Sequence, residues 1–397
     1  MERIETIRME GVTRQYGNAA ALKDFTLDIK GGTFTTLLGP SGCGKTTALN
    51  CLAGLLELSA GRIFLNDQPI HQIPAEKRGF GLVFQNYALF PHLNVVRNVG
   101  YGLEIKRVPK AERLQRVQKA LEMVHLEEFG KRYPAQLSGG QQQRLAIART
   151  IVLRPGLLLM DEPLSNLDTN LRNEMRLEIK HIHTELNLTT VYVTHDQSEA
   201  MSLSDIVVVM RLGRIEQMGT PQEIYNQPRS LYVAGFMGYA NRLPGKLVER
   251  DGAYWVVETN EGLRLRGVAT TDASSWQAGM PVTLCFKAEE TLSESPAPPN
   301  QLSGQARLVE YLGKVFEVVV AVGEKRERQL LLHTRELPEI GAELSFGIRP
   351  ERLLIFAEES GQSDFNEQVT QKGGVSDDYR GRAQTSQPST SASVPAE

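Results

Sequence analysis

Apolar residues in the first 240 positions follow two different spacings. Residues 34–38 and 157–160 are short, largely apolar runs, the pattern of strands buried on both faces of a sheet. Longer stretches carry apolar residues at every third or fourth position, as along residues 171–186. Because strands and helices of these kinds alternate along the chain, the pattern predicts an α/β domain over residues 1–240 with a parallel sheet.

The stretch from about residue 88 to residue 153 is mainly helical in pattern and is predicted to form a helical subdomain. Within residues 109–126, four apolar side chains at helical spacing predict a packed amphipathic helix: Leu114, Val117, Leu121 and Val124. Ser138 is a favourable N-cap for a second helix, which Pro155-Gly156 ends. The glycines after Ser138 make that helix start a potential anion site, and a plain capped helix is the alternative.

Residues 241–357 have a different pattern, in which short alternating stretches are separated by turns. This pattern predicts an all-β domain built as a small barrel. Residues 282–292 align with residues 344–354, so the domain is predicted to contain two similar halves joined by the proline-rich stretch 293–300. The segment 358–397 is rich in Ser, Gln, Thr and Gly, which predicts a disordered tail.

Composition argues against nucleic acid-binding, disulfide-rich and membrane-spanning proteins. The chain has 397 residues, 41% of them hydrophobic, with net charge −3 and a pI of about 6.2, so nothing in its charge favours nucleic acid binding. Cys43, Cys51 and Cys285 lack metal-ligand spacing and predict no disulfide framework, as in a reducing compartment. The sequence shows neither a signal-peptide core nor an apolar run of the roughly 18 residues that span a membrane. We therefore expect a soluble protein that can still dock on a membrane protein.

The strongest motif is GPSGCGKTT at residues 39–47, which fits the phosphate-binding loop. A predicted strand runs into it and a predicted helix over 46–53 leaves it, as the motif requires. Gly39, Gly42 and Gly44 allow the backbone to curl so that N–H groups point at phosphate oxygens. Lys45 would reach the β- and γ-phosphates, and the Thr46 hydroxyl would ligate Mg²⁺. A glycine-rich turn with an exposed lysine is the alternative.

Polar residues stand at the ends of three further predicted strands. Gln85 ends the strand 81–84, Asp161 and Glu162 end the strand that begins at Leu157, and His195 ends the strand 190–194. Sites in open α/β sheets lie at the carboxyl ends of strands. Adjacent side chains on a strand point to opposite faces, so the two carboxylates are predicted to have different roles.

Two residues outside these strand ends have competing interpretations. Tyr16 precedes a turn and is either a core residue, the preferred interpretation, or an exposed platform for a base. Asp168 or Thr169 is predicted to cap the helix that follows the polar turn 165–168.

In order, GPSGCGKTT, the glutamine after VF, LSGGQQQR, LLLMDEP, SNLD and VTH make the chain resemble the ATP-binding subunit of ABC transporters. LSGGQ separates this family from other phosphate-loop NTPases. The resemblance covers residues 3–240, while the β half looks like the paired oligonucleotide-binding-type domain of importer ATPases for sugars, polyamines, iron and sulfate. One departure is Lys287-Ala288-Glu289, where the second repeat has Arg349-Pro350-Glu351.

The resemblance implies ATP and Mg²⁺ as cofactors and a role for each matched residue. Tyr16 would stack on adenine, which replaces the core interpretation, and His195 would act as the γ-phosphate switch. Asp161 would lie beside Mg²⁺, Glu162 would polarise the attacking water, and Gln85 would sense Mg²⁺ and the γ-phosphate. The remaining nucleotide-binding positions are the loop residues Gly39, Ser41, Gly42, Cys43, Gly44, Lys45, Thr46 and Thr47, the signature residues Ser138, Gly139, Gly140 and Gln141, and Asp168.

The resemblance also implies partners. Two ATP molecules would be held between two copies of the chain, with each signature binding the ATP of the other copy. Permease subunits in the membrane, and indirectly a solute-binding protein, would complete an importer, which places the chain peripherally at the cytoplasmic face of the bacterial cell membrane. Residues 87–92 are predicted to dock on the permease; alternatively, Tyr87 and Phe90 pack within the helical subdomain.

Three other function classes fit less well. An ABC ATPase acting on chromosomes would insert a long coiled coil before Leu137, and one acting on ribosomes would carry two cassettes. A small-molecule kinase has no use for LSGGQ, and an exporter subunit usually lacks this β half. The sequence FQNYALFPH at 84–92 favours a polyamine as solute, with iron(III), phosphonate, sulfate and sugar as alternatives.

Overall fold

The computed structural model describes residues 4–292 and 300–357. These residues fall into two compact units, the first ending at Pro228 and the second beginning at Arg229, upstream of the predicted boundary at 240. The predicted tail, 358–397, and residues 293–299 of the predicted joining segment lie outside the described residues.

Strands of the first unit alternate with helices along the chain. The strands are β1 (Thr6–Tyr16), β2 (Ala19–Lys30), β3 (Phe34–Leu38), β4 (Ala60–Leu65), β5 (Gln68–Pro69), β6 (Gly81–Val83), β7 (Leu157–Asp161), β8 (Thr189–Thr194), β9 (Ile206–Arg211) and β10 (Arg214–Gly219). The helices are α1 (Lys45–Ala53), α2 (Ala75–Arg78), α3 (Val95–Ile105), α4 (Lys110–Met123), α5 (Gly139–Ile151), α6 (Thr169–Leu186), α7 (Gln197–Leu203) and α8 (Pro221–Asn226). Among the helices of residues 4–292 and 300–357, none has the length and apolar character that crossing a bilayer requires.

A six-stranded sheet forms the centre of the first unit, in the order β10-β9-β3-β8-β7-β6. All of its neighbouring pairs are parallel except β10 with β9. The register pairs Leu38 with Thr194, Asp161 with Val193, and Val83 with Met160. The carboxyl ends of β3, β8, β7 and β6 therefore meet at one edge of the sheet.

A separate antiparallel sheet has the order β2-β1-β4-β5. Its two longest strands, β1 and β2, are 11 and 12 residues long. Register shifts between Met9 and Val12 let the two strands stay paired where the side-chain alternation breaks. Gly11 occupies this irregularity with φ = 57°, a conformation that favours glycine.

The predicted helical subdomain contains α3, α4 and α5, packed on a shared apolar cluster. On α4, Val117 and Leu121 are buried, and Val124 at its C-cap is also buried. Leu114 was predicted to pack with them but is 53% exposed, because the buried face begins one turn later than the spacing suggests.

The second unit begins with a short helix and continues as strands. Its elements are α9 (Leu231–Phe236), β11 (Asn241–Asp251), β12 (Tyr254–Thr259), β13 (Arg264–Ala269), β14 (Pro281–Phe286), β15 (Thr291–Leu292), β16 (Asn300–Tyr311), β17 (Phe316–Val322), β18 (Arg328–Thr334), β19 (Glu343–Ile348) and β20 (Leu354–Ala357). A closed barrel has the order β11-β12-β13-β20-β14, and a five-stranded sheet has the order β15-β19-β16-β17-β18. The all-β small barrel is therefore confirmed.

The two sequence repeats exchange their last strands. β20 ends the second repeat but pairs with β13 and β14 of the first, while β15 ends the first repeat and pairs with β19 of the second. Two buried asparagines reinforce the exchange: Asn241 bonds to the Leu331 backbone and Asn300 to the Arg266 backbone, each through both atoms of its amide.

Candidate nucleotide site

The phosphate loop lies between β3 and α1 and is braced by neighbouring backbone. The N–H of Gly213, in the β9–β10 turn, donates to the Cys43 carbonyl oxygen over 2.9 Å. Gly44 has φ = 105°, and a Cβ there would lie 2.5 Å from the Ala21 carbonyl oxygen, so only glycine fits. A Cβ at Gly39 would lie 2.7 Å from Cys43 Sγ and from the Met210 carbonyl oxygen. The loop is therefore a rigid cradle rather than a loose surface turn.

Lys45 is buried inside this cradle, at the first position of α1, and is 4% exposed. Its ammonium donates to the carbonyl oxygens of Gly39 and Pro40 over 2.8 and 2.9 Å. It also lies 3.9 Å from Glu162 Oε1. A glycine-rich turn with an exposed lysine is ruled out by this burial, and the positive charge faces the other strand ends. Of the other loop positions, Ser41, Gly42 and Thr46 are exposed, Thr47 is partly buried, and Cys43 is buried.

Oxygen atoms suited to Mg²⁺ meet beside the lysine. The Thr46 hydroxyl donates to Asp161 Oδ1 over 2.9 Å. Burial raises the pKa of the Asp161 carboxyl, and the hydrogen bond from Thr46 opposes that rise. A hydroxyl and a carboxylate side by side fit a Mg²⁺ that takes its other ligands from phosphates and water. Among the described residues, no cluster of three or more His, Cys, Asp or Glu side chains would hold a metal without such help.

Glu162 occupies a strained backbone position next to Asp161. It has φ = 42°, which is uncommon for a residue other than glycine. The N–H of Glu162 donates to the Val193 carbonyl oxygen over 3.0 Å, and the Glu162 carbonyl oxygen accepts from the Ser165 hydroxyl over 2.9 Å. The carboxylate points toward Lys45 on one side and lies 3.2 Å from His195 Nδ1 on the other. The structure thus brings Lys45, Glu162 and His195 together as the sequence predicts.

Gln85 lies beyond the end of β6 and is connected to this group through residues 165 and 166. Its side-chain amide donates to the Ser165 hydroxyl over 3.4 Å, and the Asn166 amide donates to the Gln85 carbonyl oxygen over 3.1 Å. The segment 165–168 was predicted only as a polar turn, so this bridging role was not expected. The Ser165 hydroxyl donates to the Glu162 carbonyl oxygen and accepts from the Gln85 side chain. No motif or residue spacing in the sequence indicates such a pair of bonds.

The signature residues are built as a helix cap. The Ser138 hydroxyl accepts from the Gln141 N–H and the Gln141 side chain accepts from the Ser138 N–H, a capping box at the start of α5. Gly140 fits against Leu171, whose side chain a Cβ would approach to 2.7 Å, and Gly139 lies near Leu167. Within residues 4–292 and 300–357, no hydrogen bond joins 138–141 to the phosphate loop of the same chain.

Asp168 and Tyr16 also have clear structural settings. Asp168 caps α6, with its carboxylate accepting from the N–H groups of Asn170 and Leu171 over 3.1 Å. Tyr16 is 49% exposed at the end of β1, so the interpretation of this residue as core is wrong. The pattern of apolar and polar residues around Tyr16 does not indicate that its side chain is exposed. The Arg14 guanidinium lies 4.8 Å above its ring, which leaves an aromatic surface at the rim of the first unit.

A buried network that the sequence analysis missed supports His195. Glu199 on α7 is 3% exposed and accepts from the hydroxyls of Tyr192 and Thr194 over 2.8 and 2.7 Å. Burial raises the pKa of the Glu199 carboxyl, with the two hydroxyls opposing that rise. Arg172 lies within 3.5 Å of Asp196 and 4.0 Å of Glu199. These bonds fix the end of β8, from which His195 projects.

Comparisons with known proteins agree with this geometry. Residues 22–165 match the ABC transporter family and residues 290–356 match the TOBE domain family. The chain is 44% identical over 324 residues to the spermidine/putrescine import ATP-binding protein PotA of Oleidesulfovibrio alaskensis, covering 81% of this chain and 86% of that protein. It is 46% identical over 332 residues to PotA of Nitratidesulfovibrio vulgaris, covering 82% and 89%.

Solved structures give the same result for the first unit. The structure of cbiO1 from Clostridium perfringens, part of an ABC transporter complex, is 31% identical and aligns with a TM-score of 0.53 over 56% of this chain and 91% of that one. The dimeric bacterial ABC transporter cassette MJ0796 is 33% identical, with a TM-score of 0.50 over 54% and 98%. The phosphate loop, the signature cap, the TOBE match and these identities show that the chain belongs to the ABC transporter family, among its import ATP-binding subunits.

Proposed function

We propose that this protein binds and hydrolyses Mg·ATP as the energy-supplying subunit of a polyamine importer. The observation that carries the proposal is the meeting of Lys45, the Thr46–Asp161 pair and the Glu162–His195 pair at one edge of a parallel sheet. Phosphoryl transfer to water needs little covalent help, so positioning and charge suffice for this chemistry.

Each group in this arrangement has a separate task. The N–H groups of the loop and the N-terminus of α1 bind phosphate oxygens, and the buried Lys45 ammonium supplies a full positive charge. Thr46 and Asp161 would hold Mg²⁺, which neutralises phosphate charge when bound. Glu162 orients and polarises the attacking water, while His195 holds the Glu162 carboxylate and reaches toward the γ-phosphate. Tyr16 supplies a surface on which adenine can stack.

The separation of the signature from the phosphate loop supports a two-chain site. Ser138, Gly139 and Gly140 present the N-terminus of α5, an anion-binding feature, away from the hydrogen bonds that join the chain's own catalytic groups. A second copy can place its signature on the nucleotide, and the dimeric form of MJ0796 supports this arrangement. Hydrolysis is then linked to closure of two copies, which can do work on an attached membrane protein.

The permease is proposed to contact the helical subdomain. Tyr87 is buried in that subdomain, so it does not form part of the docking surface predicted over 87–92. Phe84 and Tyr101 are 38% and 39% exposed, and the Phe90 ring packs against the Tyr101 ring at a tilt, with 4.5 Å between the ring centroids. These rings offer an apolar surface close to Gln85. The polyamine assignment is supported by the relatives named PotA, which are spermidine/putrescine import ATP-binding proteins. A subunit of this kind would act peripherally, at the cytoplasmic face of the cell membrane.

The test is reconstitution of the chain with its permease in vesicles, in the presence of the solute-binding protein. We expect Mg·ATP hydrolysis that rises when the binding protein is loaded with spermidine or putrescine. Stimulation by iron(III), sulfate, phosphonate or a sugar in place of polyamine would overturn the solute assignment. Absence of Mg·ATP hydrolysis in the complete complex would overturn the ATPase assignment.

A further inference from the structure

An arginine near the end of helix α5 is bonded to the loop that follows Gln85. The Arg149 guanidinium donates to the Ala88 and Tyr87 carbonyl oxygens over 2.6 and 2.9 Å. The same group lies 5.2 Å above the Phe90 ring. A planar guanidinium donates to two carbonyls from two separate nitrogens while its flat face lies on an aromatic ring, a fixed geometry that the single nitrogen of an ammonium does not reproduce.

The loop that Arg149 holds is strained. Tyr87 has φ = 61° and Ala88 has φ = 46°, so two successive residues other than glycine have left-handed conformations. Such a conformation is unfavourable for a residue with a side chain and persists only when its surroundings impose it. The burial of Tyr87 and the two bonds from Arg149 help to impose it here, together with the backbone bonds that the Tyr87 and Ala88 N–H groups donate within the loop.

The other side of this loop is connected to the catalytic strand ends. Gln85 bonds to Ser165 and Asn166, and Ser165 bonds to the Glu162 carbonyl oxygen. Helix α5, which carries Arg149, begins at the signature residue Ser138. The segment 85–88 is therefore connected to Glu162 at one end and to the signature helix at the other.

We propose that Arg149 is a positioning residue that transmits movement of the signature helix to Gln85. This inference rests on the proposed function, since it assumes that the signature binds ATP held by a second copy. When α5 shifts as the two copies close, Arg149 pulls the strained segment 87–88 with it. Gln85 and the bonds to Ser165 then move too, so that ATP bound at the signature sets the geometry around the other nucleotide.

The experiment compares Arg149→Lys with the wild-type protein in the complete transporter. We expect kcat for ATP hydrolysis to fall on the order of tenfold, while KM for ATP changes less than about threefold. Hydrogen exchange of the peptide 85–92 should be faster in the variant and should lose its slowing when ATP is added. If Arg149 had only a structural role, the variant would have a lower melting temperature but would not show a fall in kcat at nearly constant KM.

Arg113→Lys is the matched control. Arg113 lies in the same helical subdomain, is 25% exposed and pairs with Glu104 over 3.5 Å, away from the loop. The control should keep the wild-type exchange of peptide 85–92. Equal kcat and equal exchange in Arg149→Lys and wild type, with wild-type hydrolysis intact, would overturn the inference alone. Loss of hydrolysis in the wild-type complex would instead count against the proposed function.

If Arg149→Lys does not fold, the Glu162→Gln variant, which keeps Arg149, gives a second test of the same connection. Adding ATP should slow exchange both at the start of α5 and in peptide 85–92. Slowing at α5 with no change in peptide 85–92 would show that the two are not connected and would overturn the inference.

Discussion

Replacement of Glu162 by Gln is the most informative change in the candidate site. The substitution keeps the size of the side chain, and a glutamine amide can still bond to His195 Nδ1, now 3.2 Å from Glu162 Oε2. The backbone bonds of residue 162 to Val193 and Ser165 do not involve the side chain and should survive. The variant therefore isolates the negative charge.

Two magnitudes describe this change, one general to catalysis and one worked from the structure. Loss of a general base costs about 10²–10⁴ in rate, or about 2.7–5.4 kcal/mol in barrier height. The lost attraction to Lys45, at 3.9 Å, has a gross value of about 4 kcal/mol at an effective dielectric constant near 20. Because that attraction competes with phosphate for Lys45, its removal should leave ATP affinity equal or higher.

The assays are phosphate release and size-exclusion chromatography at saturating Mg·ATP. We expect slow hydrolysis and an accumulated dimer, because removing a carboxylate from an interface filled with triphosphate relieves repulsion. Lys45→Ala is the contrasting variant. This variant lacks the ammonium that lies in the phosphate loop, bonded to the Gly39 and Pro40 carbonyl oxygens. Because the ammonium supplies the positive charge for the phosphates, Lys45→Ala should bind ATP more weakly. Near-normal turnover in Glu162→Gln would refute the assignment of this residue, and a monomer in the complete complex would refute the two-chain site.

Three further predictions concern stability and domain structure. Gln143 is fully buried and neither atom of its amide has a partner among the described residues, so Gln143→Met should raise the free energy of unfolding by about 1–3 kcal/mol; a lower melting temperature would contradict this. Burial lowers the pKa of His183 below its usual 6.5, so the unfolded chain takes up the proton first and stability should fall as pH drops below 6.5. Melting temperatures of His183→Gln should fall less steeply between pH 7.5 and 5.5, and an unchanged slope would exclude this histidine. A chain ending at Met237 should still bind ATP by fluorescence titration, and a folded product that does not bind would show that the β half is needed.

Much of the candidate site could be predicted because each part depends on local sequence. The glycines of the phosphate loop, the N-cap at Ser138 and the apolar run before Asp161 specify their structures within a few residues. The parallel sheet then brings the strand ends together, since all of them point the same way. The fold class was predicted for the same reason.

The features that were missed depend on contacts between distant segments. The bonds of Ser165 to Gln85 and of Arg149 to Tyr87 join residues far apart in the chain, and their residue types are common in loops and helices. The exposure of Leu114 and Tyr16 likewise depends on where neighbouring elements end. Hydrophobic periodicity describes which face of an element is apolar, but it does not say how far a neighbour covers that face.

The strand exchange in the second unit has a consequence for how that unit is assembled. The pairing of β20 with β13 and β14 means that the barrel closes only after the end of the second repeat has been made. Such long-range pairing is slow to form, and neither repeat has a complete sheet by itself. The two repeats have the arrangement of a domain-swapped dimer whose subunits have been joined into one polypeptide. A nick or deletion in either repeat should therefore cost the whole unit its structure, so that the β half is gained or lost as a single cooperative element.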